Sequence, residues 1–208
     1  MAFFELFSTT ATYDHLKNVQ SSIKFLHKAL NLPYVEDDFQ INNILQSIKR
    51  KLAKVPFQVL PITPSILIDL YKFINIEKPF DLALWCSFLV SFYCLFRKAN
   101  VVPKCTDKFD PKKELSRQKL MILDDCVLVY NNFSKTNQFM TRESILPLCS
   151  HKKKALDPVF HLKKLFSTDI PSHFPAFSFI EKGHVKSITY SIFTTKLKDL
   201  LNLAGYSP

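Results

Sequence analysis

Two cationic side chains stand where their type and setting suit phosphate chemistry. Arg97 follows the 15-residue apolar run Leu82-Ala-Leu-Trp-Cys-Ser-Phe-Leu-Val-Ser-Phe-Tyr-Cys-Leu-Phe96, so its guanidinium is expected at the edge of a buried core. An ionised Arg there is costly unless an anion pairs with it, and its planar fork matches two phosphate oxygens at once. A carboxylate partner, or a reach out to water, would satisfy it as well. Lys135 sits in the polar turn Asn131-Asn-Phe-Ser-Lys-Thr-Asn137 between two extended segments. A rigid hairpin that delivers one ammonium to a leaving-group oxygen makes a general acid; hairpin lysines are also commonly just solvated. Lys49-Arg50-Lys51 at a helix end and Lys98 beside Arg97 are candidates for DNA-backbone contacts, with a plain solvated face as the alternative.

Composition removes other chemistries. The chain has 208 residues and only two glycines, Gly183 and Gly205, too few for a phosphate-cradling loop or a dinucleotide fingerprint, so no nucleotide cofactor is expected. Its five cysteines, Cys86, Cys94, Cys105, Cys126 and Cys149, are odd in number and none are paired at zinc-knuckle spacing. Neither a metal nor any other cofactor is expected, and the cysteine usage suits a reduced, intracellular compartment, nuclear or cytoplasmic. Met1-Ala-Phe-Phe-Glu-Leu-Phe lacks a basic start and Glu5 interrupts it, a poor secretion signal. The 82–96 run is shorter than the roughly 20 residues that span a bilayer, so a buried core helix is expected and no membrane partner. Net charge is +10: residues 1–100 carry 11 Lys/Arg and 8 Asp/Glu, residues 101–208 carry 17 and 10. A basic surface of this size suits a polyanion such as double-stranded DNA.

The elements that must hold these side chains are mostly helical. Leu16, Val19, Ile23, Leu26 and Leu30 recur at helical spacing over 12–32, with Thr12 as cap and Pro33 as stop. Asp37 or Asp38 would cap a second helix ending in the basic cluster. Together they suggest a small helical module over 1–55. The proline-bearing stretch 52–62 reads as a linker, set at 56–62. Thr63-Pro64 starts a helix with the face Ile66, Leu67, Leu70, Phe73 and Ile74. Pro79 should separate it from the buried helix at 81–98. From 119 the period becomes extended: Lys119–Leu123 and Cys126–Tyr130 form a hairpin turning at Asp124-Asp125, and Ser144–Leu148 adds a third strand. Pro147 places that strand at an edge. Helices return at 157–167 and 189–204. The fold class expected is mostly α with a small three-stranded antiparallel β-sheet.

The order of these features, with Leu95-Phe-Arg-Lys-Ala-Asn-Val-Val-Pro103 after the buried helix and Ser134-Lys-Thr136 at the second hairpin turn, resembles a tyrosine recombinase. This phage-integrase-like family is matched best by its eukaryotic mobile-element branch, of the DIRS or Crypton kind. The resemblance runs from about residue 10 to 208 and implies an incomplete core-binding helical module plus the N-terminal part of a catalytic domain over 63–208. It implies catalytic roles for Arg97 and Lys135, DNA integration by strand breakage and rejoining, and self-association. Where many members carry an acidic residue three positions after the Arg, this chain has Asn100.

The family also uses a His-x-x-Arg box and a Tyr nucleophile, which would form a covalent phosphotyrosyl link. Here the residues three positions after the six histidines are Asn18, Leu30, Lys154, Lys164, Ala176 and Ser187. The segment Leu200–Pro208 resembles the one before that box. The expectation is therefore a C-terminally truncated chain that does not cut DNA, with Phe193, Leu197 and Leu201 partly exposed. Tyr206 is a poor candidate nucleophile so near the end; Tyr71, Tyr93, Tyr130 and Tyr190 read as core. A non-enzymatic DNA-binding remnant of a mobile element is the alternative, and a helical protein-interaction module a third reading.

Overall fold

The computed structural model describes residues 12–33, 39–51, 61–131 and 144–206. The chain divides into two compact units, Met1–Leu60 and Pro61–Pro208.

The first unit holds α1 (Tyr13–Ala29) and α2 (Phe39–Lys51). The Thr12 hydroxyl caps α1 by accepting from the His15 N–H at 3.3 Å. The helix stops at Ala29, ahead of Pro33, because Asn31 turns left-handed (φ 52°) and the Leu32 N–H bonds back to the His27 carbonyl at 2.8 Å. Asn tolerates that conformation and the bond satisfies a terminal carbonyl. Only Leu16 of the expected α1 face is buried; with Leu45 and Ile48 it forms a small core, while Ile23, Leu26 and Leu30 are exposed. The Asp37 and Asp38 positions lie outside the described residues.

The second unit is built around one helix over Pro79–Tyr93, α4. Its predecessor α3 (Pro64–Tyr71) starts as expected, with the Thr63 hydroxyl accepting from the Ile66 N–H at 3.4 Å. It ends before Phe73, which is exposed. Pro79 proves to be the first residue of α4 (Pro79–Tyr93), where its missing N–H costs no bond. All nine residues Leu82–Val90 are buried, so the helix has no polar side. Its polar groups are satisfied locally or across the core: Ser87 Oγ donates to the Leu84 carbonyl at 2.6 Å, Trp85 Nε1 to Ala155 at 3.0 Å, and the Tyr93 hydroxyl to Leu156 at 2.9 Å. The helix ends at Tyr93, short of the expected 98. Leu95 turns left-handed (φ 53°) and the Phe96 N–H reaches back to the Ser91 carbonyl. A four-residue helix, α5 (Lys98–Val101), follows.

The three expected strands form one antiparallel sheet in the order β1-β2-β3: β1 (Leu120–Ile122), β2 (Cys126–Asn131) and β3 (Ser144–Cys149). Val127, Val129 and Leu148 face the core; Met121, Ile145, Pro147 and Cys149 point outward. Pro147 lies opposite Leu128 on the edge strand. The Ser150 N–H bonds to the Asp125 carbonyl, which makes 128/147 a pair without mutual hydrogen bonds. The donor that proline lacks would have pointed away from β2, so no ladder bond is lost.

A second, two-stranded sheet adds to the expected one: β4 (Ser178–Glu181) and β5 (His184–Ser187) turn at Lys182 and Gly183, both at positive φ (51° and 80°). Positive φ at both turn residues matches the right-handed strand twist. α6 (Pro158–Phe166) is capped by Asp157, whose carboxylate accepts from Val159 and Phe160. It packs on α4 and the first sheet. In α7 (Tyr190–Leu203), Phe193 stacks edge-on against Phe88 with centroids 4.9 Å apart and is buried, contrary to the expected exposure; Leu197 and Leu201 are half-buried. Among the described residues no helix is long and apolar enough to cross a membrane.

Candidate nucleic-acid interface

Arg97 lies four positions past the end of α4 and serves as the N-terminal flanking residue of α5. Its side chain is exposed, not held at the edge of the core. The left-handed turn at Leu95 carries the chain off the helix before Arg97 is reached. The backbone around it is anchored: the Asn100 N–H bonds to the Arg97 carbonyl at 2.7 Å, Val101 and Val102 are buried, and Pro103 accepts from the Tyr190 N–H. Among the described residues the Arg97 side chain has no hydrogen bond, ion pair or ring contact. The fork faces solvent.

Lys98 turns the other way. Its Nζ sits 4.1 Å from the Tyr190 ring centroid and donates to Thr194 Oγ1 at 3.3 Å, pinning α5 onto α7. Neighbours in sequence, the two cations thus differ in use: one holds the fold and one faces water. Beside them an apolar cleft of about 200 Å³ is lined by Ile62, Phe88, Phe92, Phe96 and Leu197.

Lys49, Arg50 and Lys51 form the last turn of α2 in the other unit, all exposed, with Lys49 Nζ 5.6 Å from the Tyr13 ring centroid. Cations at a helix C-terminus complement its partial negative charge, so this placement is favourable with or without a polyanion. Lys135 lies outside the described residues. β2 and β3 flank its segment in the chain.

Three polar contacts escaped sequence reasoning. Arg117 is only 4% exposed, stacked 4.0 Å over Phe166, and donates through Nη2 to the Thr168 carbonyl at 3.2 Å; Nη1 has no partner. Burial lowers its pKa, with Asp169 opposing. Nothing local in Ser116-Arg-Gln-Lys119 signals this, because the carbonyl and the ring come from the distant segment 166–168. His161 is fully buried; its Nε2 bonds to the Lys154 carbonyl at 2.9 Å and so carries the proton, and burial pushes its pKa down to about 4. The Tyr206 hydroxyl donates to Asp69 Oδ2 at 2.8 Å, which raises the phenol's pKa. Among the described residues no three His, Cys, Asp or Glu side chains gather as a metal site would require.

No protein-family model matches this chain, and no curated protein sequence matches it.

Proposed function

We propose that this chain binds double-stranded DNA through its phosphate backbone, as a protein of the tyrosine-recombinase kind. The observation that carries the reading is Arg97: an exposed guanidinium, unpaired among the described residues, on an anchored turn four positions after a helix whose Leu82–Val90 stretch is buried. In that role its fork donates two N–H bonds to non-bridging phosphate oxygens. The position that Lys135 matches by the same resemblance protonates a leaving 5′-oxygen in cleaving recombinases; without cleavage its ammonium adds a backbone contact. The basic residues Lys49, Arg50 and Lys51 add backbone contacts.

One feature favours DNA binding without strand cleavage, the mobile-element remnant reading. Tyr206 is tied to Asp69 and its pKa is raised, which opposes formation of an attacking phenolate.

The test is equilibrium binding to a fluorescent duplex across a salt series. Arg97→Ala is expected to weaken binding about tenfold on any sequence and to reduce the salt slope by about one. Unchanged affinity and slope would remove Arg97 from the interface and leave a protein-interaction module as the better reading. A covalent adduct with nicked DNA, abolished by Tyr206→Phe, would overturn the non-cleaving form.

A further inference from the structure

We propose that Cys126 and Cys149 are a redox-modification site, closing a reversible cross-strand disulfide when they meet a small disulfide such as oxidised glutathione. The inference rests on strand register and does not depend on the DNA reading.

Cys126 and Cys149 are direct partners across β2 and β3, and both are free thiols. The bond from the Ser150 N–H to the Asp125 carbonyl makes 125/150 a hydrogen-bonded pair, so the next pair, 126/149, is not one. In that register opposite Cα atoms lie about 4.5 Å apart and side chains come closest. This falls within the separation of roughly 4.4–6.8 Å from which a disulfide closes. The pleat settles the direction. Val127 and Leu148, one position inward on each strand, are buried in the core, so both cysteines point to the outer face. Cys149 is exposed and Cys126 half-buried, which lets a soluble reagent reach the first and hands the second an adjacent target. No other two cysteines are register partners among the described strands.

The chemistry balances as two exchanges. The Cys149 thiolate attacks one sulfur of oxidised glutathione, the S–S bond breaks, and one glutathione thiolate leaves. The Cys126 thiolate then attacks Cys149 Sγ in the mixed disulfide and expels the second glutathione. The protein loses two thiol hydrogens and two electrons, and the glutathione disulfide takes them up as two thiols. Excess reduced thiol reverses both steps. The bond ties the edge strand β3 to β2 at the open end of their hairpin and closes a covalent ring that includes residue 135.

The experiment treats the purified full chain with oxidised glutathione, alkylates the remaining thiols, and maps the digest by mass spectrometry. The expected product is a Cys126–Cys149 linked peptide pair with the loss of two hydrogens, erased by dithiothreitol. Cys126→Ser should instead accumulate a stable glutathione adduct on Cys149. A wild-type chain that keeps the glutathione adduct, or that links Cys149 to a second chain or to another cysteine, would overturn the proposal.

Discussion

The two units solve the same problem, burying helices, with very different means. In 61–208 one helix is enclosed on every side, and the core extends through both sheets and α6 and α7. Among the described residues of the first unit, Leu16, Leu45 and Ile48 make the buried core, while Phe25 and Phe39 are 70% and 79% exposed. At roughly 25 cal/mol per Å² of apolar surface, exposed aromatics contribute little to holding the helices together. The difference teaches that helical periodicity alone does not measure burial. α1 has a regular apolar repeat and buries one residue of it; α4 has no periodicity and is buried along the whole stretch Leu82–Val90.

The contrast should show most strongly in core truncations. Leu89→Ala, at a site with no exposure, is expected to cost about 3–5 kcal/mol in urea unfolding followed by the fluorescence of Trp85, the lone tryptophan. Leu16→Ala should cost about 2 kcal/mol or less, read by the loss of helical circular dichroism, because its small cluster can collapse around the gap. Equal costs would break the comparison.

His161 sharpens it through pH. Its pKa falls from the ordinary 6.5 to about 4 on folding, so between those values the unfolded chain binds more protons than the folded one. Stability from this group is therefore complete above pH 6.5 and is lost as pH falls toward 4, on the order of 2–3 kcal/mol. The difference in urea midpoint between pH 7 and pH 4.5 should shrink in His161→Leu. An identical pH response in that variant would show that the ring is not held neutral by burial.

The two arginines extend the contrast within one unit. Arg97→Ala is expected to change stability by no more than about 0.5 kcal/mol while weakening DNA binding. Arg117→Met should leave DNA binding unaltered and stability within about 1 kcal/mol, since a well-packed apolar chain replaces a charge that lacks one partner. Thermal unfolding and duplex binding on the same samples separate these outcomes.

The smallest effect compares one local device in two settings. Thr12→Ala and Thr63→Ala each remove a cap bond to the third residue onward, and each should cost about 1 kcal/mol. If only Thr63→Ala registers, α1 is held chiefly by contacts other than its cap.

Much of the fold was legible because it is written in short-range rules. Thr12, Thr63 and Pro64 announced helix starts, the short apolar run Cys126–Tyr130 announced β2, and Pro147 announced an edge, since each acts through atoms a few positions away. The β4–β5 hairpin escaped because its cue, Lys182-Gly183, is weaker than the Asn-Gly or Asp-Gly turns such hairpins favour. The candidate site was only half legible. Sequence marked Arg97 as a cation worth watching but set it at the edge of a buried core, and a single left-handed residue, Leu95, moved it into solvent.

What the sequence determined by itself is therefore the fold class, the sheet order of the first three strands, and the basic, glycine-poor character of the chain. Tertiary structure alone decided that Arg117 and His161 are buried, that Lys98 is spent on Tyr190 and Thr194, and that Cys126 faces Cys149. Each of these depends on a partner between 7 and 96 positions away in the chain. The farther of those partners are set by strand register and helix packing, and no local propensity encodes such distances.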